Sequence, residues 1–158
     1  GAMELISTTT VSTAVSSVEF TGLSIGRYKI IGRLVLNATS GQVNAKFTDG
    51  GALVNTNNYT SRSYKGIGAY TTAGYFVLAP NYGTANFEFS FEMILDIYDV
   101  TKAPKAYGTG IQHGLGGISD VTFAGWNPDV LTASDGINIH ATGGTIASGS
   151  ISIYGVSS

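Results

Sequence analysis

The residues best suited to contact a ligand are aromatic and amide residues in predicted loops. Sugar recognition uses flat aromatic faces against C–H surfaces, together with amide groups that orient the ring through hydrogen bonds. Tyrosine and asparagine are concentrated between 55 and 74, a polar stretch that predicts a long loop. The candidate ligand-binding residues are Tyr59, Tyr64, Tyr70, Tyr82, Trp126, Asn57, Asn58 and Asn127.

The same residue types also occur in protein interfaces and in the cores of β-sheet proteins. For Trp126, the sole tryptophan, a place in the core or in a subunit interface is favoured over a sugar platform. Both interpretations therefore stand for this residue.

Acidic residues recur on one face of a single predicted strand. Glu88, Glu92 and Asp96 follow one another at four-residue spacing, which separates neighbours by about 13 Å along a strand. That distance is too long for a glycosidase carboxylate pair. Solvated charges on a sheet face are the favoured interpretation, and only a cross-strand partner would revive a glycan hydrolase.

No other catalytic motif is present. The sequence contains no serine in a nucleophile elbow and no phosphate loop with its lysine. We therefore predict no catalytic residue and a protein that is not an enzyme.

Metal-ligating residues are sparse. His113 and His140 lie on predicted strands, and neither has a second imidazole at ligand spacing. Asp49-Gly50-Gly51 and Asp135-Gly136 resemble fragments of calcium loops but lack the recurring acidic ligands. We expect turns at both places, no metal site and no cofactor.

Composition excludes several partners. The 158 residues suit one domain, and the absence of cysteine excludes a disulfide scaffold. Charged residues make up 11% of the chain, against a usual value of about 25%, and the net charge is −2. Because the basic residues are scattered, no nucleic-acid partner is expected. No apolar run is long enough to span a membrane, so no membrane insertion is expected.

Alternating side chains indicate the fold class. Between 86 and 98, apolar residues occupy every second position and polar residues occupy most of the others, which is the period of a half-buried strand. Further strands are predicted at 27–36, 42–48, 75–78, 105–113, 120–126, 135–141 and 149–155, with 27–36 and 42–48 joined as a hairpin by a turn at 37–41. The pattern predicts an all-β fold, an antiparallel β-sandwich or jelly roll.

The chain divides into three parts. Residues 1–3 are typical of a scar left by tag cleavage, so the natural chain is expected either to extend further or to start near this point. Residues 4–17 form an extended lead-in strand, either an edge strand or a neck to a fibre. Residues 18–158 form the β-sandwich domain.

Three stretches resemble parts of a known family of virion proteins. Ser17-Val-Glu-Phe-Thr-Gly-Leu-Ser24 with Arg27-Tyr-Lys-Ile-Ile-Gly-Arg-Leu-Val35, and the end Gly149-Ser-Ile-Ser-Ile-Tyr-Gly155, resemble C-terminal β-sandwich domains of tailed-bacteriophage tail-fibre and virion proteins. Related modules cap trimeric adhesive fibres. The resemblance covers most of 17–155 in layout and specific residues only at the two ends.

The resemblance implies a non-enzymatic homotrimeric tip that binds a cell-surface glycan or another host receptor, on a virion or an extracellular fibre. No catalytic residue follows from it. The alternatives are a carbohydrate-binding module of a larger enzyme and a purely structural virion protein.

Overall fold

Antiparallel strands make up the regular structure of the described chain. The computed structural model describes residues 2–64, 70–80, 87–98, 101–114, 117–129 and 134–156, and these ranges contain no helix. The all-β prediction is therefore confirmed. The strands are β1 (Met3–Val11), β2 (Ser17–Phe20), β3 (Gly26–Asp49), β4 (Ala52–Leu53), β5 (Tyr59–Tyr64), β6 (Tyr70–Ala73), β7 (Phe76–Ala79), β8 (Phe87–Ile97), β9 (Lys105–Gly114), β10 (Gly117–Trp126) and β11 (Ser134–Val156).

The strand β8 confirms the alternation seen in the sequence. Its buried positions are every second residue from Phe87 to Ile97, and the positions between them are exposed or half-buried. β8 lies near the middle of the sheet, between β3 and β9. Its buried face therefore contributes six side chains to the core, namely Phe87, Phe89, Phe91, Met93, Leu95 and Ile97.

The strands form one curled antiparallel sheet. Its main path runs β1-β11-β3-β8-β9-β10-β5-β6, while β2 pairs with β11, and β4 and β7 pair with β3. β1 is the end of this path and pairs with β11 from Met3 to Val11. The lead-in segment thus lies along the edge of the sheet.

The predicted hairpin between 27–36 and 42–48 is wrong. Both segments belong to the single strand β3, and the predicted strands at 135–141 and 149–155 likewise belong to the single strand β11. β3 and β11 pair along nearly their whole length, with register shifts between Thr142 and Gly144 and between Ile146 and Ser148. The turn-forming residues at 37–41 lie beside these irregularities. They accommodate a bulge instead of reversing the chain.

The two halves of β3 and β11 have different neighbours. The first half of β3 pairs with β8, and its second half pairs with β7 and β4. On the other side of the pair, β11 is flanked by β2 before the irregularities and by β1 after them. This change of partners lets one sheet enclose its own core.

β7 lies where two distant parts of the curled sheet approach each other. β7 pairs with β3, yet the amide of Val77 donates a hydrogen bond of 2.8 Å to the hydroxyl of Ser61 on β5. The rings of Phe47, Tyr59 and Phe76 meet there, with centroids 5.2 to 6.1 Å apart. These contacts join the second half of β3 to the far end of the main path.

The predicted loop at 55–74 is replaced in part by strands. β5 and β6 form an antiparallel pair from Tyr59–Ala73 to Arg62–Tyr70. Among the described residues of this stretch, turn structure is present at Asn57 and Asn58, just before β5. Within the described ranges, no helix has the length and apolar content needed to cross a membrane.

Candidate ligand-binding site

The outer face of the sheet carries the candidate ligand-binding surface. This face is the side of β11, β3, β8, β9, β10 and β5 that points away from the core. Strand alternation places small, hydroxyl-bearing, charged and aromatic side chains there. Two concave regions lie on this face, and each is built from neighbouring strands.

The first region, the Trp126 pocket, follows from the register of β9, β10 and β5. Ala124 pairs with Tyr107 on one side and with Arg62 on the other. Trp126 lies two residues further along β10. Because the methyl group of Ala124 is short, a cavity of about 290 Å³ forms among the larger side chains. Its lining residues are Thr60, Arg62, Lys105, Ala106, Tyr107, Ala124, Gly125 and Trp126.

Two aromatic side chains of this pocket are open to solvent. Trp126 is 40% exposed and Tyr107 is 41% exposed. They are diagonal neighbours on adjacent strands, a relationship that separates the two residues by roughly 7–8 Å. Flat aromatic surfaces at this spacing suit the apolar face of a sugar ring.

Trp126 also lines a second cavity of about 280 Å³ on its other side, together with Tyr98, Lys102 and Pro128. Lys105 contributes to both cavities. Its ammonium group lies 3.5 Å from the Tyr98 hydroxyl and 5.1 Å from the centroid of the Tyr98 ring. The Trp126 side chain thus lines both cavities and lies between them.

The second concave region, the hydroxyl trough, continues along β9 and β10 from the Trp126 pocket. It encloses about 730 Å³. Thr109 and Thr122 pair across β9 and β10, each two residues from a pocket residue on its own strand. The other hydroxyl, apolar and charged side chains of the trough are Ser90, Ser150, Ser152, Ile31, Ile111, Tyr154, Arg33, Glu92 and Asp120.

The acidic residues of β8 form ion pairs across to β3. Each pair is partly exposed, and the N–O distances lie between 3.6 and 3.8 Å. Glu88 also lies 3.6 Å from the imidazole of His113. The pairs are Arg33 with Glu88, Lys29 with Glu92 and Arg27 with Asp96. This arrangement agrees with the interpretation of these carboxylates as solvated charges on a sheet face.

No protein-family model matches this chain, and no curated protein is significantly similar to it.

Two of the predicted ligand-binding residues are buried. Tyr59 is fully buried, and its hydroxyl donates to the carbonyl of Val54 and accepts from the amide of Phe47, both at 2.9 Å. Burial raises the pKa of Tyr59 to about 12. Asn127 is also fully buried, and its amide group donates to the Thr56 hydroxyl at 3.0 Å. Both side chains stabilise the segment that leads into β5.

The two other asparagines lie at the turn before β5. Asn57 and Asn58 are exposed. The amide of Asn58 donates a hydrogen bond of 2.6 Å to the carboxylate of Asp129. Since β5 begins where β10 ends, this contact lies at the same end of the sheet as Trp126.

The remaining tyrosines are described less completely. The backbone of Tyr64 pairs with Thr122, and that of Tyr70 pairs with Arg62. Tyr82 lies outside the described residues, as do the side chains of Tyr64 and Tyr70.

Tyr107, Lys105 and Arg62 are the pocket residues that sequence reasoning missed. A signal was present in β9, where the larger Lys105 and Tyr107 alternate with Ala106 and Gly108. That alternation indicates a face with protruding side chains. It does not reveal that Ala124 lies beside them, because the register of the β9–β10 hairpin depends on the exact length and type of its turn.

Potential metal ligands are not clustered in the described part of the chain. No three His, Cys, Asp or Glu side chains there lie close enough together to hold an ion. His140 instead packs edge-on against Tyr75, with ring centroids 6.3 Å apart. Burial, together with the charge of Lys46, lowers the pKa of His140 to about 4.

Proposed function

We propose that this chain is a non-enzymatic carbohydrate-binding domain at the tip of a fibre of the tailed-bacteriophage type, which attaches a virion or an extracellular fibre to a cell-surface glycan. The observation that carries the proposal is the pair of exposed rings, Trp126 and Tyr107, on either side of a small floor residue. A sugar ring stacks on Trp126 and contacts Tyr107 at its edge. Its hydroxyl groups then reach Thr60 and the charged side chains of the pocket.

The hydroxyl trough supports a ligand longer than one sugar. Along β10 it adjoins the Trp126 pocket, since Asp120, Thr122 and Ala124 are successive outward residues. From Trp126 to Asp120 the strand extends roughly 20 Å. Serine and threonine hydroxyls along this path serve as both donors and acceptors for sugar hydroxyls.

The proposal includes a β-sandwich or jelly roll assembled as a homotrimer. The return of β7 onto β5 supports the sandwich, because it brings two parts of the curled sheet face to face. Exposed apolar side chains near the edge strand β1 support assembly. Leu5 and Ile25 are 55% and 54% exposed, and Ile6, Ile25 and Val156 line one depression.

Binding to a panel of immobilised bacterial and plant polysaccharides tests the sugar site. We expect at least one polysaccharide to bind the wild-type domain and Trp126→Ala to weaken that binding at least tenfold, because losing a buried aromatic contact costs about 1.5–3 kcal/mol. Ile118→Ala is the matched control. It truncates a 70% exposed side chain at the opposite end of β10 and is expected to bind normally.

Failure of every polysaccharide on the panel to bind would refute the sugar site and favour the structural virion protein. That second candidate is supported by the same apolar edge of β1. Light scattering tests the assembly separately, since a stable monomer would refute the trimer whatever the panel shows. We expect Leu5→Ser with Ile25→Ser to dissociate the oligomer.

A further inference from the structure

The Trp126 pocket has a local charge opposite in sign to that of the whole chain. Two cationic residues, Lys105 and Arg62, belong to its lining, and none of the described lining residues is a carboxylate. Lys102 adds a third cation in the cavity on the other side of Trp126. The complete chain carries a net charge of −2. A concentration of positive charge around Trp126 is therefore a local property of these strands.

The carboxylate that lies opposite Lys105 in the strand register already forms an ion pair with another residue. Asp96 on β8 lies opposite Lys105 on β9, but its ion-pair contact is with Arg27 at 3.8 Å. The same Arg27 lies 3.4 Å from the hydroxyl of Tyr107. The Lys105 ammonium instead lies beside the Tyr98 hydroxyl. A neutral hydroxyl leaves its positive charge uncompensated at that contact.

The size of the pocket limits what it holds. A cavity of about 290 Å³ is at the small end of ligand sites and fits one sugar ring. With a ring stacked on Trp126, a charged substituent at the edge of that ring lies next to Lys105 and Arg62. A planar carboxylate suits the fork of a guanidinium group and the ammonium of a lysine.

We propose that the Trp126 pocket selects a sugar that bears a carboxylate, such as a uronic-acid residue within a polysaccharide. This inference rests on the proposed carbohydrate-binding function and specifies its ligand class. Trp126 and Tyr107 contact the ring, and Lys105 and Arg62 contact the carboxylate. The cations therefore discriminate acidic from neutral sugars, while the aromatic residues supply contact area.

Chemical reduction of the carboxyl groups tests this selectivity without changing the linkages of the polymer. Each uronic-acid-containing polysaccharide of the panel is compared with its carboxyl-reduced form at low ionic strength. We expect reduction to weaken binding at least tenfold. Equal binding of the two forms would overturn the acidic-sugar inference and leave the carbohydrate-binding function intact. Absence of binding to every polysaccharide, acidic or neutral, would refute both.

Charge-neutralising variants locate the effect. Lys105→Gln is expected to weaken binding of the native acidic polymer at least fivefold and to weaken any binding of the reduced polymer by a smaller factor, because the reduced sugar offers Lys105 only a neutral hydroxyl. Lys46→Gln is the matched control, because Lys46 lies on the second half of β3 and contacts Asn55. An equal loss in both lysine variants would point to non-specific attraction and count against the pocket.

The single tryptophan allows a test that needs no sugar. Because Trp126 is the sole tryptophan, all indole fluorescence reports on this pocket. At constant ionic strength, iodide is expected to quench the emission more efficiently than caesium, relative to free tryptophan, since the surrounding cations attract an anion. Lys105→Gln should reduce that difference. Caesium quenching as efficient as iodide quenching would show that the pocket is not positively charged.

Discussion

The ring of Phe76 lies directly against the backbone of Gly125. Phe76 belongs to β7 and is fully buried, whereas Gly125 belongs to β10, the third strand from the far end of the main sheet path. A methyl group at Gly125 would overlap the carbon atoms of that ring. The glycine therefore permits the close approach by which the curled sheet returns on itself. On its outward side, the same part of β10 forms the floor of the Trp126 pocket.

Gly125→Ala is expected to destabilise the domain by roughly 1–3 kcal/mol, because the added methyl group overpacks a filled core. Urea unfolding monitored by circular dichroism measures the change. Combining Gly125→Ala with Phe76→Leu makes room for the methyl group, so the double variant should lose less stability than the sum of the two single variants. Strict additivity would mean that the two residues do not contact each other.

Tyr59→Phe is expected to destabilise the domain by roughly 1–3 kcal/mol, because it removes the hydroxyl that bonds both Phe47 and Val54 in the core. Tyr107→Phe, at an exposed tyrosine, should change stability by less than about 0.5 kcal/mol. Equal effects of the two variants in urea unfolding would contradict the buried role of Tyr59.

The buried Tyr59 also predicts alkaline sensitivity. Burial raises its pKa to about 12 from an ordinary value of 10.0. The stability associated with the neutral phenol is fully present below pH 10 and is lost as the pH rises towards 12, because the unfolded chain releases this proton first. Stability measured from pH 9 upwards should fall less steeply for Tyr59→Phe than for the wild type.

Asp135 joins three segments through its carboxylate. It accepts hydrogen bonds from the Thr48 hydroxyl at 2.7 Å, the Gly51 amide at 3.3 Å and the Gly22 amide at 3.2 Å. Burial opposes the charge, but these hydrogen bonds lower the pKa of Asp135 below its ordinary value of 3.8. Asp135→Asn is expected to cost about 1–3 kcal/mol at neutral pH.

The loss of stability caused by Asp135→Asn should be smaller at acidic pH than at neutral pH. The lowered pKa of Asp135 stabilises the wild type above pH 3.8, and this contribution is lost as the pH falls through the folded-state pKa. Stability measured at pH 7 and at pH 3 tests this sign. Asp120→Asn, at an exposed carboxylate of β10, should show a small effect at both values. A larger loss of stability for Asp135→Asn at pH 3 than at pH 7 would contradict the lowered pKa of Asp135.

His140 predicts a separate loss of stability at mildly acidic pH. Burial first, and then the charge of Lys46, lower its pKa from 6.5 to about 4. Between these values the unfolded chain binds a proton that the folded chain does not, so stability falls as the pH drops from 6.5 to 4. His140→Gln should remove this part of the dependence, whereas His113→Gln, at an exposed histidine, should retain it. If stability fell equally steeply with pH in the wild type and in His140→Gln, the lowered pKa of His140 would be refuted.

Strand content was predictable from the sequence because strand alternation is local. The apolar positions of β8 alternate with polar ones, and the same residues alternate in burial. The spacing of Glu88, Glu92 and Asp96 likewise placed them on one solvated face. By contrast, the turn chemistry at 37–41 was misleading, because a bulge in a long strand uses the same residue types as a turn.

An all-β chain with few charges, and with tyrosine, tryptophan and asparagine residues of the types that sugar sites use, follows from the amino-acid sequence alone. The accessibility of each of these residues depends on the tertiary structure. Tyr59 and Tyr107 are the same residue type on strands, yet one is fully buried and the other is exposed beside Trp126. The physical reason is that alternation defines two faces of each strand, whereas the curl of the sheet and the pairing of distant strands select the face that is covered.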